Sequence, residues 1–253
     1  MQILKIGGKL LANPYLLDAA LSAFVKKEGQ KILVHGGGNK ASELLQQLAI
    51  PPKMTAGRRI TDAPTLEVVT MVYAGLINKQ LVSQLQAIGC NALGLSGADG
   101  NVIQAHKRPS IPFDYGFAGD IDQVNSDLII SLLNSGICPV FCAITHDKEG
   151  QLLNTNADTI ASTLAVALAP FFKVELIFCL EKNGVLADPE NDATVIPELT
   201  VENFQKLKAE GIIYDGMIPK LDNAFSALDK GVSKVCICGP DSLIEAGGTW
   251  LQN

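Results

Sequence analysis

Short apolar runs alternate with longer amphipathic segments along this chain. The apolar runs are rich in Ile, Val and Leu, a composition typical of buried parallel strands. They are Gln2–Gly7, Lys31–His35, Asn91–Ser96, Ile137–Ile144, Val174–Leu180 and Lys234–Gly239. The segments between them have helical spacing and are Pro14–Glu28, Lys40–Leu48, Pro64–Ala87, Ser126–Ser135, Ala157–Ala169, Val201–Ala209 and Met217–Lys230. This alternation predicts an α/β fold, a three-layer αβα sandwich in which helices cover both faces of a mostly parallel central sheet.

Two stretches break the alternation, namely Pro51–Thr61 and Gly97–Gln123. Both are rich in Gly, Pro and Asp and contain only short β-like runs, so they predict hairpins or loops at one edge of the sheet. A boundary is expected near Pro170, where one helix ends shortly before a new strand begins at Val174. No Ser/Gly-rich linker separates the halves. The sequence therefore predicts two lobes, residues 1–170 and 171–253, that share one sheet.

Composition narrows the class of protein. The chain has 253 residues and 47% hydrophobic content, enough for a large core. Its net charge is −6, with the two signs interspersed, which argues against a nucleic-acid surface. No apolar run approaches the roughly 18 residues of a membrane span. We therefore expect a cytoplasmic protein that binds neither nucleic acid nor membrane.

The cysteines are interpreted as core thiols. They lie in or beside apolar segments, where a free thiol behaves as a small hydrophobic group. They are Cys90, Cys138, Cys142, Cys179, Cys236 and Cys238. No C-x-x-C is present and the histidines are not spaced as zinc ligands. Neither a protein metal site nor disulfides are expected.

Glycines lie where three predicted strands end, at Gly7-Gly8, Gly36–Gly38 and Ser96–Gly100. Each turn alone is equally consistent with an ordinary tight connection between strand and helix. Three together, two of them beside a cation or a histidine, favour a phosphate site, because glycine lets backbone N–H groups approach an anion closely. The P-loop and dinucleotide fingerprints are both absent, which argues against a P-loop ATPase and a dinucleotide oxidoreductase.

Three charged residues lie in apolar surroundings. Lys5 is inside an apolar strand, where burial is costly unless an anion or carboxylate meets it, although an edge strand would let it reach solvent. Asp158 opens an apolar helix and has an alternative role as a helix cap. Lys220 lies near a helix start, where its charge opposes the helix dipole unless it binds an anion.

Motifs along nearly the whole chain point to one family. In order they are Lys5-x-Gly-Gly8, His35-Gly-Gly-Gly38, Gly57-x-Arg59-x-Thr61, Asn78-Lys79, Leu95-Ser-Gly-x-Asp-Gly100, Asn154-x-Asn-Ala-Asp158 and Gly216-Met-x-x-Lys220. With them the chain resembles the amino-acid kinase family, which includes carbamate kinase, aspartokinase and bacterial UMP kinase. Within it, the chain is most similar to the N-acetylglutamate kinase branch.

The resemblance implies catalytic roles. Lys5 and Lys220 would stabilise the transferring phosphoryl group, and Asp158 would hold the two lysines. Gly8 and Gly38 would donate backbone N–H groups to the phosphoryl oxygens. These roles suit phosphoryl transfer, in which positioned cations and N–H donors supply most of the catalysis. The nucleophile is a carboxylate that is already ionised, so no general base is required.

The resemblance also implies two binding sites. The acyl-glutamate would contact Gly37, Gly38, Arg59 and Asn154. In particular, Arg59 would hold its non-reacting carboxylate in a bidentate pair; a surface salt bridge is the alternative role for an isolated arginine. ATP would lie over the C-terminal lobe, with Mg²⁺ held mainly by phosphates and water. The implied nucleotide-binding residues are Gly7, Glu181, Asn183, Gly184, Val185, Leu186, Ile213, Tyr214, Gly216 and Met217.

Two positions depart from the family pattern. Leu180-Glu181 replaces a Ser/Thr-Asp pair that usually faces the nucleotide, and Arg58 replaces a common leucine beside Arg59. An extra cation suggests a more anionic acyl group, such as N-succinyl. However, neighbours on a strand point to opposite faces, so Arg58 should face away from the ligand of Arg59.

The predicted oligomer is a homodimer without arginine feedback. The chain starts at its first strand, whereas arginine-inhibited hexameric relatives carry an additional N-terminal helix. The predicted helix Pro64–Ala87 has an apolar stripe that is equally well explained as a dimer surface or as a core face. The stripe consists of Val68, Val69, Val72, Leu76 and Leu81.

The predicted function is ATP-dependent phosphorylation of the side-chain carboxylate of N-acetyl-L-glutamate to N-acetylglutamyl 5-phosphate in arginine biosynthesis. One alternative is the same reaction on N-succinyl-L-glutamate. Another is a sibling enzyme, carbamate kinase or UMP kinase, which would not need Arg59 and Asn154 to hold a second carboxylate. The third is a non-catalytic ligand sensor of this fold. The presence of Lys5, Asp158 and Lys220 argues against a sensor, because these are the residues expected to be catalytic.

Overall fold

A computed structural model describes residues 1–55, 58–188, 190–213, 217–245 and 247–252. In chain order the strands are β1 Gln2–Ile6, β2 Lys31–His35, β3 Met54–Thr55, β4 Arg58–Arg59, β5 Ala92–Leu95, β6 Ile103–Lys107, β7 Gly119–Val124, β8 Cys138–Phe141, β9 Ile144–His146, β10 Leu152–Asn154, β11 Glu175–Cys179, β12 Glu198–Thr200, β13 Lys234–Cys238 and β14 Thr249–Gln252. The α-helices are α1 Gly8–Leu11, α2 Pro14–Lys26, α3 Gly38–Gln47, α4 Ala63–Thr70, α5 Asn78–Ala87, α6 Ser126–Asn134, α7 Ala157–Leu168, α8 Val201–Ala209, α9 Met217–Asp229 and α10 Pro240–Glu245.

Internal contacts divide the chain into two compact units. The first consists of residues 1–29 together with residues 161–253, and the second consists of residues 30–160. The first 29 residues thus group with the C-terminal part of the chain, which a single boundary near Pro170 does not allow for. The assignment of one ligand to each lobe stays a prediction.

The first unit is built on the strand order β12-β14-β13-β11-β1. Neighbouring strands are parallel except for β13 and β14, which are antiparallel. Helix α2 packs against α10, and α9 contacts β13 and β14. The carboxyl ends of β1, β11 and β13 therefore lie along one edge, where α/β folds bind ligands.

Local sequence explains where α2 starts and which face it buries. The side chain of Asn13 accepts hydrogen bonds from the backbone N–H groups of Tyr15 and Leu16, and Pro14 takes the first helical position. The apolar positions repeat at helical spacing and are buried. They are Leu17, Ala20, Leu21 and Phe24. Thr200 caps α8 and Asp62 caps α4 in the same way.

The second unit has β2, β8 and β5 as parallel neighbours. The two stretches predicted to form hairpins do so: β3 pairs with β4, and β6 pairs with β7. The latter pair belongs to a four-stranded sheet of order β10-β9-β6-β7. Sequence reasoning missed β9 and β10. The predicted α/β class with mostly parallel strands is confirmed.

A π-helical segment, Met71–Ile77, joins α4 to α5. The long helix predicted over Pro64–Ala87 is therefore present, but its middle turn is widened. Most of the predicted apolar stripe is buried, whereas Leu76 is 43% exposed. The wider turn changes the angular position of residues within it, so a strict period of about 3.6 places Leu76 on the wrong face.

The cysteines behave as predicted. All six are free thiols, five of them buried and Cys90 half-buried.

No helix of the described residues is long and apolar enough to cross a membrane.

Candidate active site

A cavity of about 570 Å³ opens in the first unit at the carboxyl ends of its strands. It is within the size range of small-molecule sites. Its lining combines lysines, a glycine turn and apolar side chains. The lining residues are Lys5, Gly7, Gly8, Lys9, Leu10, Leu180, Glu181, Lys182, Gly184, Val185, Leu186, Glu190, Ile212, Ile213, Met217 and Lys220.

The two lysines predicted to be catalytic both line this cavity. Lys5 is buried, with 7% of its surface exposed, because β1 pairs with β11 along its length. Lys5 and Phe178 are partners in that pairing. The Nζ atom of Lys220, in the first turn of α9, lies 5.6 Å from the centroid of the Phe178 ring. The Phe178 side chain thus places two cations on one side of the strands.

The predicted nucleotide-binding residues divide into three groups. Those that line the cavity are Gly7, Glu181, Gly184, Val185, Leu186, Ile213 and Met217. The structure does not place Asn183 on the cavity, because its side-chain amide packs against Gly239, where no side chain intervenes. Tyr214 and Gly216 lie outside the described residues.

Sequence reasoning missed one ion pair in the cavity wall. The Nζ atom of Lys9 lies 2.6 Å from Oε1 of Glu181. The pair is solvent-accessible, so it contributes little to folding stability. Lys9 directly follows the glycine turn at Gly8, and this adjacency is the signal that could have identified it. Lys182 and Glu190 add further charge to the lining.

In the second unit, Arg59 is held inside the protein with only 8% of its surface exposed. Its Nη2 atom donates hydrogen bonds to the carbonyl oxygen of Gly38 at 2.9 Å and to Oγ of Ser42 at 2.7 Å. Its Nη1 atom is buried and has no hydrogen-bond partner among the described residues. A surface salt bridge therefore does not describe Arg59. A buried cationic N–H group without a partner is costly, and an anionic ligand would relieve that cost.

Arg58 has the opposite orientation. It is exposed, whereas Arg59 is buried, as the alternation of side chains along β4 predicts. The charge of Arg58 makes a small contribution to lowering the pKa of Asp120, which is lowered mainly by a hydrogen bond from Arg108. Arg58 is thus directed to a surface carboxylate rather than to the ligand of Arg59.

Gly37 is packed too closely for any side chain. A Cβ atom at this position would lie 2.5 Å from Cδ1 of Ile77 and 2.8 Å from Cδ1 of Tyr73. Gly38, which begins α3, lies beside the Arg59 guanidinium. The glycine turn therefore brings backbone against Arg59, as a ligand-binding turn requires.

Asn154 is connected to Arg59 through Thr61. The Nδ2 atom of Asn154 donates a hydrogen bond to Oγ1 of Thr61 at 3.0 Å, and that hydroxyl donates to the carbonyl oxygen of Arg59 at 3.3 Å. Arg59 and Asn154, two of the four residues predicted to bind the acyl-glutamate, therefore belong to one hydrogen-bonded group in the second unit.

Asp158 is not the cap of α7. The side-chain oxygen of Asn156 accepts hydrogen bonds from the backbone N–H groups of Asp158 at 2.8 Å and Thr159 at 3.1 Å. The capping interpretation of Asp158 is thereby replaced, since a cap residue is already present. Its predicted role of holding the two lysines stays a prediction.

Comparison with known proteins identifies the family. The family model described as "Amino acid kinase family" matches residues 1–239. A protein of Phocaeicola vulgatus named acetylglutamate kinase is 53% identical over 252 residues, covering 100% of this chain and 98% of that protein. One of the same name from Parabacteroides distasonis is 52% identical over 247 residues, covering 98% and 97%.

Among solved structures, smu.665 from Streptococcus mutans superposes with a TM-score of 0.82 at 28% identity, covering 99% of this chain and 98% of that one. The match extends along both chains, in agreement with the α/β fold described above. The chain therefore belongs to the amino acid kinase family.

Proposed function

We propose that the protein transfers the γ-phosphoryl group of ATP to the side-chain carboxylate of N-acetyl-L-glutamate, the reaction named by its relatives, as a step of arginine biosynthesis. Three proteins named acetylglutamate kinase share 51–53% of their amino acids with this chain over nearly its full length, which supports this proposal. The observation that carries the substrate assignment is the buried Arg59, whose Nη1 atom lacks a partner among the described residues. A substrate with a second, non-reacting carboxylate supplies that partner.

In the proposed reaction, a side-chain carboxylate oxygen attacks the γ-phosphorus of ATP. The new O–P bond forms as the bond to the β-phosphate oxygen breaks, and the products are N-acetyl-L-glutamyl 5-phosphate and ADP. Lys5 and Lys220 stabilise charge on the transferring group, and Gly8 and Gly38 donate backbone N–H groups to it. Asp158 orients the lysines. No proton transfer is needed, because the attacking carboxylate is ionised at neutral pH.

The cavity of the first unit is proposed to bind ATP. Its four lysines and its glycine turn suit a triphosphate, and its apolar wall suits a base and ribose. ATP enters as its magnesium complex, and the ion neutralises phosphate charge when bound. The described parts of the chain contain no group of three or more His, Cys, Asp or Glu side chains that could hold a metal ion. In this proposal the Mg²⁺ is held mainly by the phosphates and water.

Arg59 and Asn154 distinguish this reaction from those of sibling enzymes. Carbamate and UMP both lack a second, non-reacting carboxylate of the kind proposed to pair with the buried Arg59. The exposed position of Arg58 removes the structural argument for an N-succinyl substrate.

We also propose that the protein is a homodimer. Met71 and Leu76, which are exposed on the helix formed by α4, the π-helical segment and α5, are available for the dimer contact. Light scattering of the purified protein tests this, with a monomer or a hexamer as the contrary result. Cytoplasmic location also stays a prediction.

A coupled assay of ADP release tests the proposed function. Hydroxylamine traps the acyl phosphate, so that product formation is distinguished from ATP hydrolysis. We expect turnover with N-acetyl-L-glutamate, weaker turnover with N-succinyl-L-glutamate, and none with carbamate or UMP. Absence of hydroxamate with either acyl-glutamate contradicts the proposal, and a higher kcat/KM for the succinyl compound replaces the acetyl assignment.

A further inference from the structure

Tyr73 lies against the residues proposed to bind the acyl-glutamate, although no motif includes it. It belongs to the π-helical segment Met71–Ile77 and is buried, with 5% of its surface exposed. The edge of its ring contacts Gly37, and Ile77, one turn later, contacts the same glycine. The Tyr73 side chain is close enough to the Arg59 guanidinium for that charge to lower the pKa of Tyr73, against the larger effect of burial.

The chemistry of this contact leaves the tyrosine proton available. A guanidinium only donates hydrogen bonds, so the Tyr73 hydroxyl cannot give its proton to Arg59. The Tyr73 hydroxyl donates no hydrogen bond to a described residue. Burial raises the pKa of Tyr73, and the Arg59 charge offsets this only in part. The hydroxyl is therefore protonated at neutral pH and able to donate.

Two donors thus lie side by side without an acceptor among the described residues: the Tyr73 hydroxyl and the Nη1 atom of Arg59. The Nη2 atom of the same guanidinium already donates hydrogen bonds to Gly38 and Ser42. A carboxylate has two oxygens and accepts from two such donors at once. One carboxylate therefore satisfies both groups.

We propose that Tyr73 is a further substrate-binding residue, whose hydroxyl donates a hydrogen bond to the same non-reacting carboxylate that Arg59 binds. This inference rests on the proposed function. It also assigns a purpose to the π-helical segment, since the widened turn carries both Tyr73 and Ile77 to Gly37. π-Helical turns are frequent at functional sites.

Substitution Tyr73→Phe removes the hydroxyl and keeps the ring that packs on Gly37. We expect the KM for N-acetyl-L-glutamate to rise about 10- to 150-fold, the range for one lost hydrogen bond to a charged group. We expect kcat within about 2-fold and an unchanged KM for ATP, because the contact is equally present in ground and transition states. Tyr15→Phe makes the same chemical change at an exposed tyrosine of α2 and should alter neither constant.

A substrate analogue separates direct contact from a packing role. The compound 4-acetamidobutanoate is N-acetylglutamate without its non-reacting carboxylate, and its inhibition constant reports its binding. Tyr73→Phe should leave that constant unchanged, because the group that Tyr73 contacts is missing. If Tyr73→Phe raises the KM of the substrate and the inhibition constant of the analogue by the same factor, the role of Tyr73 is structural and the inference is overturned. An unchanged KM in Tyr73→Phe, together with normal wild-type turnover, overturns the inference alone. A wild-type protein that fails to phosphorylate acyl-glutamate removes the proposed function, and the inference with it.

Discussion

The ring of His35 is kept neutral by burial, and its two hydrogen bonds fix which nitrogen carries the proton. Its Nε2 atom lies 3.1 Å from Nδ2 of Asn78, an amide nitrogen that only donates, so Nε2 is the acceptor. The Nδ1 atom lies 2.8 Å from the carbonyl oxygen of Gly36 and carries the proton. Burial lowers the pKa of His35 to about 4. A histidine at the end of a strand beside glycines is therefore a structural residue here, which the sequence motif does not reveal.

This lowered pKa predicts acid sensitivity. Between pH 6.5 and pH 4 the unfolded chain binds a proton at His35 and the folded protein does not, so the free energy of unfolding falls as pH falls. The loss is roughly 1.4 kcal/mol per pH unit and about 3 kcal/mol in total. Urea unfolding at pH 7 and pH 5 should show a smaller pH dependence in His35→Gln than in wild type. The exposed His106 provides the control, His106→Gln. Equal slopes in wild type and His35→Gln contradict the assignment.

At the scale of elements, Asn78 connects α5 to the strands of the second unit. The same Nδ2 atom that contacts His35 in β2 also donates to the carbonyl oxygen of Val140 in β8 at 2.9 Å. Asn78 is fully surrounded by protein. The long helix is therefore fixed by a polar contact immediately after its π-helical segment, and not only by its apolar face.

Replacing this contact should destabilise the protein. Asn78→Leu has nearly the same volume but leaves His35 and the Val140 carbonyl without a donor. We expect the free energy of unfolding to fall by roughly 2–4 kcal/mol, the cost of two buried groups without partners. Urea denaturation measures this, with Gln84→Leu at an exposed position of α5 as the matched change. A loss no larger than that of Gln84→Leu would contradict the role of Asn78.

The spacing of apolar residues predicted helices and strands correctly wherever one face of the element is buried. The strand Lys31–His35 and the helix Val201–Ala209 have the predicted bounds, because an apolar run or a Thr cap marks each end. Strands β9 and β10 were missed because each has only three residues, too few to show alternation. The exposure of Leu76 was missed because a π-helical turn departs from the regular period of about 3.6 residues on which the prediction rested.

The candidate site likewise contains residues that the sequence could predict and residues that it could not. Lysines and glycines beside strand ends were predictable, because the carboxyl ends of parallel strands are where ligands bind. Tyr73 was not, since its only signal is a position inside an ordinary apolar helix pattern. Asn183 was implied by the family resemblance as part of the segment Glu181–Leu186, yet its side chain packs on Gly239. Position along a loop does not determine which way a side chain points.

At the scale of the whole molecule, the two proposed sites draw on different parts of the chain. Every residue lining the cavity lies within residues 1–29 or 161–253. The residues proposed to bind acyl-glutamate, Gly37, Gly38, Arg59, Tyr73 and Asn154, all lie within residues 30–160. Each ligand is therefore expected to bind without the other, and single substitutions should separate the two affinities.

Arg59→Ala and Lys220→Ala test this separation. Arg59→Ala should weaken binding of N-acetyl-L-glutamate by about 100-fold or more, because a buried charge pair is lost. It should leave the dissociation constant of a non-hydrolysable ATP analogue unchanged. Lys220→Ala should lower kcat by about a thousand-fold with a modest change in either KM, since its charge acts mainly on the transition state.

Calorimetric titration of each ligand alone, followed by steady-state kinetics, distinguishes the outcomes. Lys230→Ala, which removes a lysine from an exposed position immediately after α9, is the control for Lys220→Ala and should leave kcat unchanged. Loss of nucleotide binding in Arg59→Ala shows that the two sites depend on each other's residues, contrary to the expectation. Near-normal turnover in Lys220→Ala removes the proposed role of this lysine, while a rise in the KM for ATP without loss of kcat assigns it to nucleotide binding instead.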